Sequence, residues 1–270
     1  MKPTSIIILA LIIFSSCKKN SDQPAVNAGL KSSLTLQFDN IAGAANVQLN
    51  TGRYTNSVGE DFTITMLQYY ISNVQLTTTD GTKYAVPQDS SYFLVRESDP
   101  ATQFCKLNVP LGEYRSVSFV LGVDSLRSTM DVSKRTGVLD PAATGHDDGG
   151  MYWGWNSGYI FFRMEGISSF APADPAGLKK FRYHIGGFGG YSAPSLNNIK
   201  NITLDLSANG TAKVREGRSS NVHIMVDVLK MFNGATDVSI AANPTVMFGD
   251  YSARVAANYV QMFRHDHTEN

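Results

Sequence analysis

Two cysteines, Cys17 and Cys105, are too few to staple this chain. Cys17 closes a leader segment, so Cys105 is the one thiol left to the mature chain. No internal disulfide can form, and stability must come from a hydrophobic core. An excess of charge is also missing. There are 23 Lys+Arg against 23 Asp+Glu, which removes any electrostatic argument for a nucleic-acid partner. The chain has no H-E-x-x-H, no C-x-x-C and no repeat of fixed period. Gly154-Trp155-Asn156-Ser157-Gly158 is not a nucleophile elbow, because its serine stands one place late. Gly186-Gly187-Phe188-Gly189-Gly190 lacks the spacing of a dinucleotide loop and any helix signal after it. A standard hydrolase or nucleotide enzyme is therefore disfavoured, and no enzymatic activity is expected.

The start of the chain reads as a leader. Lys2 supplies positive charge, Ile6 to Phe14 is apolar but too short to span a bilayer, and Ser15-Ser16-Cys17 follows as a lipoprotein cleavage site. The expected organisation is a lipoprotein signal peptide at 1–16, a lipid-anchored flexible tether at 17–32 and a single domain at 33–270. The anchor implies a cell-envelope lipoprotein, in the periplasm or at the outer membrane of a Gram-negative bacterium. The plainer reading is an ordinary signal peptide with an incidental cysteine.

Hydrophobic residues make up 43% of the chain, enough for a sizeable core. Leu34 to Phe38 alternates cleanly, and Tyr69 to Thr79 is β-branched and aromatic before the turn signal Asp80-Gly81. Further strands are expected at 83–86, 92–95, 104–109, 114–123, 158–165, 180–185, 199–206, 211–214 and 222–229. Pro110-Leu111-Gly112 reads as a turn between two of them. Phe62 to Leu67 reads as a short helical turn, and Ser252 to Phe263 as a terminal helix, with Val255, Tyr259 and Phe263 at helical spacing. The fold class is all-β: a single antiparallel β-sandwich domain with long loops and a short C-terminal helix. The longest loop, from Leu126 to Gly150, leads straight into the stretch that holds both tryptophans, Trp153 and Trp155.

On an extended strand Met151, Trp153 and Trp155 share one face, and Gly158 permits a bend. Beyond it, Ile160, Phe162 and Met164 read as core-facing. Tyr159, Phe161, Arg163 and Glu165 share the other face. Buried tryptophans are common, so packing is the plain reading of the indoles. Among five histidines, His184 stands on the polar face of its strand beside the glycine loop, where it can reach a metal. A surface histidine is the plain alternative. His265 and His267 alternate past the terminal helix, so extended backbone points both the same way, a spacing that suits Cu(II). The alternative is a frayed polar end. His146 reads as part of a solvated loop and His223 as structural. Cys105 reads as a small buried hydrophobe.

Met151-Tyr152-Trp153-Gly154-Trp155-Asn156-Ser157-Gly158-Tyr159 resembles the M-F-W-x-W-x-S-G-Y motif of the MbnP-like family, secreted or periplasmic copper-binding proteins named from methanobactin gene clusters. In the same order, Tyr69 to Leu76 resembles its Y-Y-I-S-N-I-x-L. Gly122 to Leu126 resembles G-V-x-x-L, and Tyr183 to Gly187 resembles the H-I-G segment. Asn258-Tyr259, Met262-Phe263 and His267 fit at the end, so the resemblance spans roughly residues 33–270. Related members tend to carry a second histidine where this chain has Glu269. The resemblance implies the sandwich fold and copper as cofactor, with His184, His267 and His265 as candidate ligands. It also implies oxidation of Trp153 or Trp155 to kynurenine by a partner diheme protein of the MauG-like type. A common site requires the fold to bring Trp153, Trp155, His184 and His267 together. The competing reading is a lipoprotein that binds glycan or protein through an aromatic surface, without metal.

Replacing Cys17 with alanine is expected to release the protein from membranes or leave its leader uncleaved. Unchanged membrane fractionation and processing would refute the lipid anchor.

Overall fold

Alternation decides the first strand. Leu34, Leu36 and Phe38 are fully buried, with Thr35, Gln37 and Asp39 partly exposed between them. The computed structural model describes residues 27–142, 150–153 and 158–270. Cys17, His146 and Trp155 lie outside the described residues, as do the expected signal peptide and most of the tether.

The strands run β1 (Asn27–Ala42), β2 (Ala45–Asn46), β3 (Tyr54–Thr55), β4 (Asp61–Thr78), β5 (Lys83–Ala85), β6 (Tyr92–Arg96) and β7 (Phe104–Leu121). Helix α1 (Ser125–Thr129) opens the long loop, followed by β8 (Tyr152–Trp153), β9 (Gly158–Ser168), β10 (Lys180–Gly186) and β11 (Lys200–Asp205). The chain closes with β12 (Ala212–Val214), β13 (Ser220–Asp227), β14 (Thr245–Val246), α2 (Asp250–Asn258) and β15 (Phe263–Glu269). No described helix is long and apolar enough to cross a membrane.

The strand path is β14-β10-β9-β4-β7-β1-β13-β15. It folds into two layers through β7. The first half of β7 pairs with β1, from Phe104 opposite Gln37 to Pro110 opposite Lys31. Its second half pairs with β4 and β11. The fold is all-β and sandwich-like, as expected, but several details differ. Pro110-Leu111-Gly112 is not a turn, because these residues stay paired while the strand passes from one layer to the other. Residues 62–67 are strand, because Phe62, Ile64 and Leu67 bury their side chains while the backbone pairs with β9. The sheet is mixed rather than purely antiparallel, since β1 with β13 and β10 with β14 run parallel. Asn27, Lys31 and Ser32 pair with β7, so the first strand begins inside the stretch expected to be tether. Helix α2 ends at Asn258; a 3-10 turn at Tyr259–Met262 then gives way to β15.

Between the layers lies one large core that includes Phe38, Tyr69, Phe119, Phe162, Tyr183 and Phe263. At its edge Glu60 clamps a long connection. Its carboxylate accepts from the Asn56 amide at 2.7 Å and the Ser239 hydroxyl at 2.7 Å. It also accepts from the backbone N–H groups of Ile240 at 2.5 Å and Ala241 at 3.0 Å. Burial raises its pKa, but these donors outweigh burial and hold the carboxyl below its ordinary value. Glu60→Ala leaves two backbone donors without their acceptor, a loss of about 3 kcal/mol. Urea unfolding should show it, with Glu60→Gln retaining part of the stability. An alanine variant within about 0.5 kcal/mol of wild type would show that the clamp is idle.

Candidate functional site

The outer face of the β4–β9–β10 layer is covered. Residues 122–142 and 150–153 lie over it, and a second, smaller core forms beneath them. It contains Tyr70, Leu94, Val123, Leu139, Met151, Trp153, Tyr159, Ile160, Phe161 and Phe188. This explains why Tyr69-Tyr70-Ile71 and Tyr159 to Phe162 are apolar on both faces. Ile160 departs from its expected face because a register shift in the β9–β10 pairing, between Ile185 and Gly186, moves it into the second core. Hydroxyls fasten the cover: Tyr70 donates to the Val138 carbonyl at 2.7 Å and Tyr159 to that of Leu139 at 2.5 Å.

Trp153 sits where β8 meets β9, opposite Gly158. Its indole lies over Gly186 at the end of β10. A Cβ there would fall 2.7 Å from the indole and 2.3 Å from the Tyr159 carbonyl oxygen, so only glycine fits. Phe248 meets the indole edge-on with centroids 6.2 Å apart. Asn198 holds the far side, donating from its amide to the Gly186 carbonyl at 2.8 Å and to Ser252 of α2 at 2.9 Å. Trp153, Phe188, Tyr191, Phe248, Gly187 and Ser195 are among the residues lining a cavity of about 240 Å³.

His184 lies two residues before Gly186 on the same face of β10, about 7 Å along the strand. Of the two tryptophans expected beside His184, Trp153 lies over Gly186 on this face, and Trp155 lies outside the described residues. The imidazole is nearly buried, at 9% exposure. Its Nε2 stands 2.7 Å from the Glu165 carboxylate. Arg163 joins the same carboxylate at 2.6 Å and donates to the Gly150 carbonyl at 2.7 Å, tying the ion pair to the tryptophan segment. Burial raises the Glu165 pKa, but the His184 hydrogen bond and the Arg163 charge bring it down to about 2. Burial also lowers the His184 pKa, against the pull of Glu165 and with help from Arg163. A neutral His184 therefore donates Nε2–H to an ionised carboxylate, which leaves Nδ1 as its lone-pair nitrogen.

His223, His265 and His267 are elsewhere. Tyr183 and Ile185 point into the large core, so His184 faces outward from its layer; Val222 and Ile224 do the same for β13, so His223 faces outward from the other layer. His267 stands opposite His223 in the β13–β15 pairing. His184 and His267 therefore lie on opposite outer faces, and the expected gathering of His267 with Trp153 and His184 does not occur. His265 and His267 do not point the same way either. The pairing shifts register so that His265 faces Ile224 and Asp266 is an extra residue, a β-bulge. His265 turns to Thr268, its Nε2 2.9 Å from the hydroxyl. His223, read from sequence as structural, instead meets His267 with ring centroids 4.8 Å apart. Only the bulge could have revealed this, and no sequence rule places one at Asp266. Cys105 is buried, and burial pushes its thiol far above the ordinary range, as fits a core residue.

A family model described as MbnP matches residues 31–248. Among solved structures, the chain is similar to MbnP from Methylosinus trichosporium, with 15% identity, a TM-score of 0.52, and coverage of 77% of this chain and 83% of that one. No curated protein matches the chain.

The His184–Glu165 pair makes stability pH-dependent. Both folded pKa values lie below their ordinary ones, so the unfolded chain binds more protons and stability is lost as the pH falls. The His184 part is present above pH about 6.5 and lost below it, and the Glu165 part is lost between about 4.5 and 2. Urea midpoints measured from pH 7.5 down to 5.5 should fall less steeply in His184→Gln than in wild type. Parallel curves would rule out a neutral, buried His184.

Proposed function

The chain belongs to the MbnP family, and from that premise we propose that it is an extracytoplasmic copper-binding protein whose metal sits beside Trp153 and His184. One observation carries the reading: Glu165 holds Nε2 of a neutral, nearly buried imidazole, on the strand face where the indole lies over Gly186. Metal-ligating histidines typically give their other N–H to a carboxylate, which fixes the ring and makes the free nitrogen a better donor. The residues fit copper in this respect. His184 Nδ1 would hold the ion. An intact indole offers no good ligand, whereas kynurenine would add an aromatic amine and a carbonyl at Trp153, supplied by a MauG-like diheme partner. Copper bound here would be a resident or carried ion, held beside the Arg163–Glu165 ion pair. A lipid at Cys17 would keep the protein at the cell envelope.

A second reading rests on the cavity between Trp153, Phe188, Tyr191 and Phe248. Tyr191 is 74% exposed there, and aromatic faces stack on sugars. In that case the site takes a glycan and no metal.

Metal analysis of the mature protein, together with the mass of the peptide holding Trp153 and Trp155, separates the two. The expected result is near-stoichiometric copper and a tryptophan-to-kynurenine mass change. His184→Ala should lose copper affinity by tenfold or more. Equal copper content in wild type and a folded His184→Ala variant would overturn the assignment.

A further inference from the structure

We propose that the outer face of the opposite layer carries a second, independent metal site, formed by His223, Asp266 and His267 and suited to a divalent borderline ion such as Zn(II) or Cu(II). The β-bulge builds it. In a regular strand Asp266 and His267 would point to opposite faces. The extra residue puts both on the side of His223, so that the Asp266 Oδ2 lies 2.9 Å from His267 Nδ1 and 3.4 Å from His223 Nδ1. One donor atom from each of the three residues falls within 4.8 Å of the others. Ligands around a tetrahedral zinc at about 2.0–2.1 Å stand about 3.4 Å apart, so the widest pair needs to close by about 1.4 Å.

The surrounding groups aim the donors inward. Asp39 on β1 places its Oδ2 3.3 Å from His223 Nε2, which leaves Nδ1 of that ring turned toward Asp266. Arg264 donates to the other Asp266 oxygen at 2.9 Å. Glu269 lies 3.7 Å from His267 Nε2. The two imidazoles thus each have a carboxylate on the far nitrogen, the arrangement that orients histidines in metal centres. Two imidazoles and a carboxylate without sulfur suit a divalent ion better than Cu(I). The His267 side chain is 48% exposed, so a bound ion keeps a position open to water or an incoming ligand, as an exchange site requires. The site shares no residue with the one beside Trp153 and His184, and it stands on the distances between His223, Asp266 and His267.

Zinc titration of the full mature protein by calorimetry tests it. Wild type should take up one zinc at this face, and its melting temperature should rise with zinc. His223→Ala and His267→Ala should each weaken binding tenfold or more. Asp266→Asn, which keeps the side-chain volume, should weaken it as well, and Asp39→Asn should do so by about 10-fold or more through ring orientation. His184→Ala should bind zinc as wild type does. A wild type that takes up no zinc, or a folded His223→Ala, His267→Ala double variant that binds it unchanged, overturns the proposal. So does loss of zinc in a folded His184→Ala, whereas loss of copper alone in that variant bears only on the site beside Trp153.

Discussion

The backbone of β7 has to serve two layers at once. Its first half completes a ladder with β1 and its second half lies between β4 and β11. Unpaired backbone groups in a buried strand cost as much as lost hydrogen bonds. The strand therefore cannot break at the crossing, and Pro110, which has no N–H, is accommodated where the partners change. Strands β1, β4, β11 and β12 all pair with it directly. β1 brings β13 and β15 into the first layer, while β4 brings β9 and β10 into the second.

The second layer is buried on both sides, and that governs the tryptophan region. Tyr159, Phe161 and Tyr70 would otherwise face water, and burying each contributes about 2 kcal/mol. The covering segment supplies few regular hydrogen bonds of its own, so side chains fasten it. Arg135 donates to the Met130 carbonyl at 2.7 and 2.9 Å and to the Tyr152 hydroxyl at 3.1 Å. Arg163 does the same for Gly150, with Glu165 and His184 behind it. The ion pair is thus part of the lid's attachment as well as the orienting group of an imidazole. Structure and chemistry at this end of β10 depend on the same four or five residues.

Much of this was legible in the sequence because side-chain alternation reports burial directly. Leu34-Thr35-Leu36-Gln37-Phe38 and Val222-His223-Ile224 gave their strands and faces correctly, and the motif around Trp153 pointed to the family that the comparisons support. What failed was decided by backbone pairing across long separations. Pro110-Leu111-Gly112 has the composition of a turn, yet ladder partners on both layers keep it extended. Phe62 to Leu67 lost its helical reading to pairing with β9. The histidines were misgrouped because one extra residue, Asp266, inverts the facing of everything on one side of it. A period-two argument holds only while the register holds.

The parallel pairing of β1 with β13 has a consequence for how the chain is made. Leu34 lies opposite Ser220 and Ile41 opposite Asp227, partners 186 residues apart in a chain of 270. Loop closure over such distances slows folding. During synthesis or export, the first strand emerges long before the segment that pairs on one of its two sides. Until then β1 has an open edge rich in Leu and Phe, the kind of edge that invites pairing with other chains. The first strand is thus made early and secured late, and one of its edges stays open until the last third of the chain has been synthesised.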